Sequence, residues 1–177
     1  MKKIITGLLL IFITPLLFSQ NEVTEKEIIP DNLLGSWVIE QPGEGQVPSQ
    51  IFRWKFNKKT QKQGECEFYW MFKRQEDKEY ITVAVAVYDF HVVASKIYGK
   101  MTKAGSQQKQ AMVMEFYDEV KWYNPGDEFY DKFGMKEINT EFVIKNNLLN
   151  LLEDNNGDGD YDDEGESQSY AKEIDES

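Results

Sequence analysis

This chain is poor in the residues on which cross-linking and metal or acid–base chemistry most often depend. Cys66 is its only cysteine and His91 its only histidine in 177 residues. One thiol cannot build a disulfide scaffold, so stability has to come from an apolar core. No His/Cys cluster has the spacing of a zinc site. Long apolar runs are equally scarce, and beyond the first twenty residues none is long enough to cross a bilayer as a helix. Helical periodicity is short wherever it occurs, with Asp127 to Lys136 the best candidate for a brief helix. Positive charge is in deficit: 20 Lys and Arg stand against 31 Asp and Glu, a net charge of −11. That balance argues against nucleic acid as a partner.

The one long apolar run is at the start. "MKKIITGLLLIFITPLLFSQ" has two lysines, an apolar stretch and a small polar exit at Ser19-Gln20, the layout of a signal peptide spanning residues 1–20. Cleavage is expected close to Gln20–Asn21. With no cysteine after the run, no lipid anchor is expected, and the product is read as exported to a periplasm or beyond. Residues 21–32 form a polar lead-in. The acidity is concentrated at the other end, where Glu153 to Ser177 hold eleven acids and one base, Lys172.

What the chain does have is period-2 alternation, the signature of half-buried strands. In "QIFRWKFN", Phe52, Trp54 and Phe56 share one face. In "ECEFYWMFK", Cys66, Phe68, Trp70 and Phe72 share another, which places Cys66 in a core. "YITVAVAVY" sets Ile81, Val83, Val85 and Val87 against Thr82, Ala84 and Ala86, and either set can face inward. "FHVVASKIYGKM" follows at once. "QAMVMEFYDEVKW" aligns Met112, Met114, Phe116, Val120 and Trp122, with Asp118 as the misfit. "TEFVI", "LLNLL" and "SQSYAKE" complete about nine strands. Turn residues separate them at Pro42-Gly43 with Gly45, Lys58 to Gly64, Gly105-Ser106, Asn124 to Asp127 and Asn146-Asn147. With 41% hydrophobic and 14% aromatic residues, one core of ordinary size is feasible. The pattern predicts one all-β domain over residues 33–177, an antiparallel up-and-down barrel or, alternatively, a β-sandwich.

The opening strand, "LLGSWVIE", narrows the choice. Gly35 permits a bend where a barrel begins, and Trp37 supplies a large plug for one end. Gly35-x-Trp37 at the head of a chain of this size resembles the lipocalin/calycin family, particularly its secreted bacterial lipocalin-like members. The resemblance implies a barrel that takes a small apolar or amphipathic ligand through the mouth opposite Trp37. It also implies a cationic side chain packed across Trp37. Since no arginine follows Arg74, Lys172 would take that place, although it stacks less well than a planar guanidinium.

Three sets of residues bear on chemistry. Asp89, His91 and Ser95 share a strand face, but four residues of strand put His91 about 13 Å from Ser95, too far for direct proton transfer. The second set is "EDNNGDGDYDDEGE". Asp154, Asn156 and Asp158 before Gly159 match the first half of a calcium loop, with Asp160 and Asp162 at later ligand positions. Gly165 stands where the bidentate glutamate belongs, so Ca2+ is a possible cofactor of modest affinity, and a solvated acidic loop is the plain alternative. The third set is the barrel interior: Phe52, Trp54, Phe68, Trp70, Met112, Met114 and Phe116, expected to project inward. They can line a ligand cavity or simply fill a core. The favoured reading is a non-catalytic binding barrel. The alternative is a filled-core interaction module of the envelope or exterior with a calcium-binding acidic loop.

Overall fold

The computed structural model describes residues 27–44, 47–74, 77–109, 115–153, 160–161 and 163–173. Among them nine strands follow in order: β1 (Gly35–Gln41), β2 (Ser49–Lys58), β3 (Gly64–Lys73), β4 (Ile81–Val93), β5 (Lys96–Gln108), β6 (Phe116–Tyr123), β7 (Glu137–Lys145), β8 (Leu148–Leu152) and β9 (Ser167–Lys172). A 3-10 turn at Asp31–Leu33 precedes β1, and helix α1 (Glu128–Lys132) lies between β6 and β7. Adjacent strands pair antiparallel in the order β1-β2-β3-β4-β5-β7-β8-β9, and β9 returns to β1. The result is a closed eight-stranded up-and-down barrel, not a sandwich. β6 is an addition to it. β5 pairs with β7 over Lys96–Lys100 and with β6 over Ala104–Gln108, so two strands share one edge of a long one.

Alternation decides what fills the barrel. Trp37 is paired with Trp54, Trp54 with Phe68, and Phe68 with Ala86, so these side chains share the inner face. The open choice in β4 is thereby resolved: Ala84 and Ala86 face inward, opposite Trp70 and Phe68. Val85 lies on the outer face yet is fully buried. The reason is Gly105, its partner on β5, where an added Cβ would lie 2.6 Å from Val120 and 3.0 Å from Trp122. Only glycine lets β6 side chains close over the valine. The turn expected at Gly105-Ser106 is therefore strand interior, corrected by this close approach. The real hairpin is Ala94-Ser95, a two-residue loop with Ala94 at φ 53°. Asn146-Asn147 makes the equivalent loop between β7 and β8, both residues at positive φ, as a type I′ turn requires.

One end is sealed. The hairpins at 59–63, 94–95 and 146–147 gather there, together with the 3-10 turn. Trp37 is 1% exposed and donates its Nε1–H to the Leu33 carbonyl at 2.7 Å. Leu33 and Ile29 are fully buried beneath it, and the Ile29 amide is bound to the Gln61 carbonyl at 2.9 Å. The lead-in read as merely polar thus supplies part of the seal. Gly35, at φ 104°, makes the bend that carries the chain from this plug into β1. Lys172 Nζ stands 5.0 Å from the Trp37 ring centre, where the resemblance placed it.

Candidate functional site

The other end differs in kind. On one wall stand Phe52, Trp54, Phe68 and Trp70, the two rings flanking Phe52 lying within 6.5 Å of it. Trp54 and Phe68 are closer, at 4.8 Å between centres. On the facing wall, the inner positions of β4 and β5 are Ala84, Ala86, Ala104 and Ser106, all small. Large rings opposite small side chains leave volume, and the segment between β6 and β7 occupies part of it. Tyr130 of α1 reaches inward and donates its hydroxyl to the Met101 carbonyl at 2.7 Å. From the barrel wall, Tyr88 donates to the Met135 carbonyl at 2.7 Å, and the Met101 amide binds the Lys136 carbonyl at 2.8 Å. Phe129 stacks on Tyr123 at 4.6 Å, and Phe133 lies next to it. The segment therefore sits across the mouth as a tethered strap.

Besides a depression of about 680 Å³ along residues 134–140, two cavities lined by aromatic rings remain beside the strap. One, of about 360 Å³, is walled by Phe52, Trp54, Phe68, Phe133, Met135, Leu151 and Tyr170, with Glu153, Glu166 and Gln168 among its polar members. The other, of about 390 Å³, is walled by Trp70, Ala84, Ser106, Tyr123, Phe129 and Phe133, with Lys109 and Lys132 at its edge. Phe133 borders both. Trp70, although inward-facing, is 39% exposed, so the mouth is open at that point. A larger depression of about 800 Å³ lies on the outside of the sealed end, along the 59–64 hairpin. Its cations are committed: Lys59 pairs with Glu65 and Asp89 at 2.9 Å, and Lys62 with Glu27 at 3.3 Å. The apolar volumes in the mouth fit a ligand better.

Of the residues singled out from sequence, Phe52, Trp54 and Phe68 come together on the first cavity, and Trp70 lines the second. Phe116 lies on neither. It packs edge-on against Phe72 and beneath Arg74. Trp122, from the same run, points outward, 42% exposed, with Lys103 above its ring at 4.4 Å. Met112 and Met114 lie outside the described residues, as do Asp154, Asn156, Asp158 and Asp162 of the calcium motif. Asp160 is described and exposed. His91 is on the outer surface, stacked on Tyr98 at 5.3 Å, and Ser95 sits in the hairpin. Sequence reasoning missed the strap and the buried Glu166. The strap's signal was the apolar set Phe129, Tyr130, Phe133 and Met135 in a stretch read only as a short helix.

Burial governs the titration of the interior. It pushes the Cys66 thiol well above its ordinary value of 9.0, with Glu65, Glu67 and Asp89 adding to the effect. It likewise raises the Tyr88 and Tyr170 hydroxyls from 10.0. An acid whose pKa is raised on folding stabilises the protein below its unfolded pKa and loses that contribution as pH rises. Stability should therefore be flat to about pH 9, then fall as the unfolded chain loses protons the folded one keeps. Each group adds a slope of up to about 1.4 kcal/mol per pH unit. Urea unfolding at pH 8, 9.5 and 11 measures this, and an unchanged free energy at pH 11 would contradict the burial of all three.

The chain matches no protein-family model, no curated protein and no solved structure.

Proposed function

We propose that this closed barrel is an exported, lipocalin-like binding protein that holds a small apolar or amphipathic molecule in its mouth and performs no chemistry on it. The observation that carries this reading is the contrast between the two ends. The Trp37 end is sealed by buried side chains, whereas the opposite end sets aromatic rings against Ala84, Ala86, Ala104 and Ser106 around partly open, largely apolar space. Affinity would come from apolar area removed from water, about 25 cal/mol per Å² before ordering costs. His91 plays no part, because it lies on the outer surface and stacks on Tyr98.

Native mass spectrometry of the protein purified from its own host tests this directly. The expected result is a stoichiometric adduct released on denaturation and extractable into organic solvent. A clean unliganded mass, together with no tryptophan response to apolar dyes, would leave the filled-core interaction module as the better account. That second reading draws on Tyr130 and Phe133, which already occupy part of the mouth.

A further inference from the structure

The cavities of about 360 Å³ and about 390 Å³ stand on either side of one ring. Phe133 lines both, and it is the residue that their described walls have in common. The barrel wall opposite is continuous from one to the other. Phe68, Phe52 and Trp70 form a stacked row with centres 6.5 Å and 6.3 Å apart. That row leads from the first cavity, walled by Phe52 and Phe68, into the second, walled by Trp70. The strap is anchored on both sides of Phe133. On one side the Tyr130 hydroxyl donates to the Met101 carbonyl, and on the other the Tyr88 hydroxyl donates to the Met135 carbonyl, both at 2.7 Å. The Phe133 ring has no polar group to fix it and rests on packing, with Phe129 at 6.2 Å between centres. Beside it there is room: a Cβ added at Gly134 would meet nothing within 4 Å. The ring can therefore turn to another rotamer while the backbone that carries it stays tethered.

Resting on the binding reading, we propose that the two cavities are halves of one site divided by the Phe133 ring, and that the site takes a single long, unbranched amphipathic chain which turns that ring aside. Each volume alone is at the low end of the roughly 300–1,000 Å³ typical of ligand sites, whereas joined they fall well within it. A long chain loses its translational and rotational freedom once while covering the apolar area of both cavities. Two short molecules lose it twice. The polar end of the chain belongs at Trp70, which is 39% exposed where the second cavity opens to water. Phe133 then sets chain length: in place it admits short chains to either side, and turned aside it admits one that spans them.

Equilibrium dialysis of the full chain against labelled 1-octanol and 1-hexadecanol, the latter carried on cyclodextrin, counts the molecules bound. The expected result is about two octanols or about one hexadecanol per protein, with hexadecanol displacing both octanols. Phe133→Ala should raise hexadecanol affinity at least about tenfold, because no ring has to move, and change octanol affinity by less than about threefold. Phe133→Trp should weaken hexadecanol at least about tenfold and leave both octanols bound. If Phe133→Ala does not fold, Phe133→Leu takes its place, and displacement in the unaltered protein decides by itself. One octanol per protein, hexadecanol and octanol bound together, or equal effects of the Phe133 variants on both alcohols overturns the inference while the binding barrel stands. If neither alcohol binds at saturation, the binding reading fails as well.

Discussion

Replacing Trp37 by alanine should lower the unfolding free energy by about 4 kcal/mol. In a barrel of this size that is a fall in melting temperature of roughly 10 °C. Three losses coincide at this position. The indole is 1% exposed and belongs to the core with Phe56, Leu149 and Leu33, so its removal leaves a large void. The Leu33 carbonyl loses the Nε1–H that satisfies it. Lys172 loses the ring over which it lies. The terms separate by substitution. Trp37→Phe keeps most of the bulk and removes the hydrogen bond, for a cost of about 1–3 kcal/mol. Lys172→Ala removes only the cation and should cost less than about 1 kcal/mol, because the lysine is exposed. Urea unfolding of the three variants gives the order directly. A Trp37→Ala loss no greater than that of Lys172→Ala would mean that the sealed end does not depend on its tryptophan.

Much of the barrel wall was legible in the sequence, for a physical reason. A strand buried on one side alternates, and Phe52, Trp54 and Phe56 or Cys66, Phe68 and Trp70 announce their face by side-chain type alone. Lys172 was likewise accessible to reasoning, because a barrel that closes brings its last strand beside its first. β4 was not, since both its faces are covered from Val85 to Tyr88. Val85 is buried outside and Ala86 inside, and period 2 cannot rank two buried sets. The Ala94-Ser95 hairpin was hidden because Ala94 is not a turn former and takes its positive φ under the constraint of paired strands on both sides. Gly105 misled in the opposite sense: a glycine needed for side-chain approach looks, in sequence, like one needed for a turn. Glu166 was read as one of many charges in an acidic run. Only the fold, by pairing β8 with β9, shows that this acid is buried and lines the mouth cavity.

Leu151→Trp should abolish binding of an apolar ligand and hardly disturb the fold, and that combination is the sharpest test of whether the mouth holds space or core. Leu151 is 8% exposed on the inner face of β8 and borders the cavity of about 360 Å³ with Trp54 and Tyr170. If the volume is real, an indole can swing into it at a cost of less than about 1.5 kcal/mol, since no neighbour has to move. Ligand affinity should then fall by at least about a hundredfold, roughly 3 kcal/mol, because the indole takes the ligand's place. In a filled core the same change overpacks, and its cost rises to about 3 kcal/mol with a cooperative loss of stability. Alanine at the same position works in the reverse direction. Leu151→Ala should enlarge the cavity and cost about 2–5 kcal/mol in the ligand-free protein. A bulky ligand should recover part of that loss, because binding to the folded state alone stabilises it. Melting curves of both variants with and without ligand read the two effects separately. A large destabilisation by tryptophan with no rescue of alanine by ligand would place the aromatic wall in a packed core.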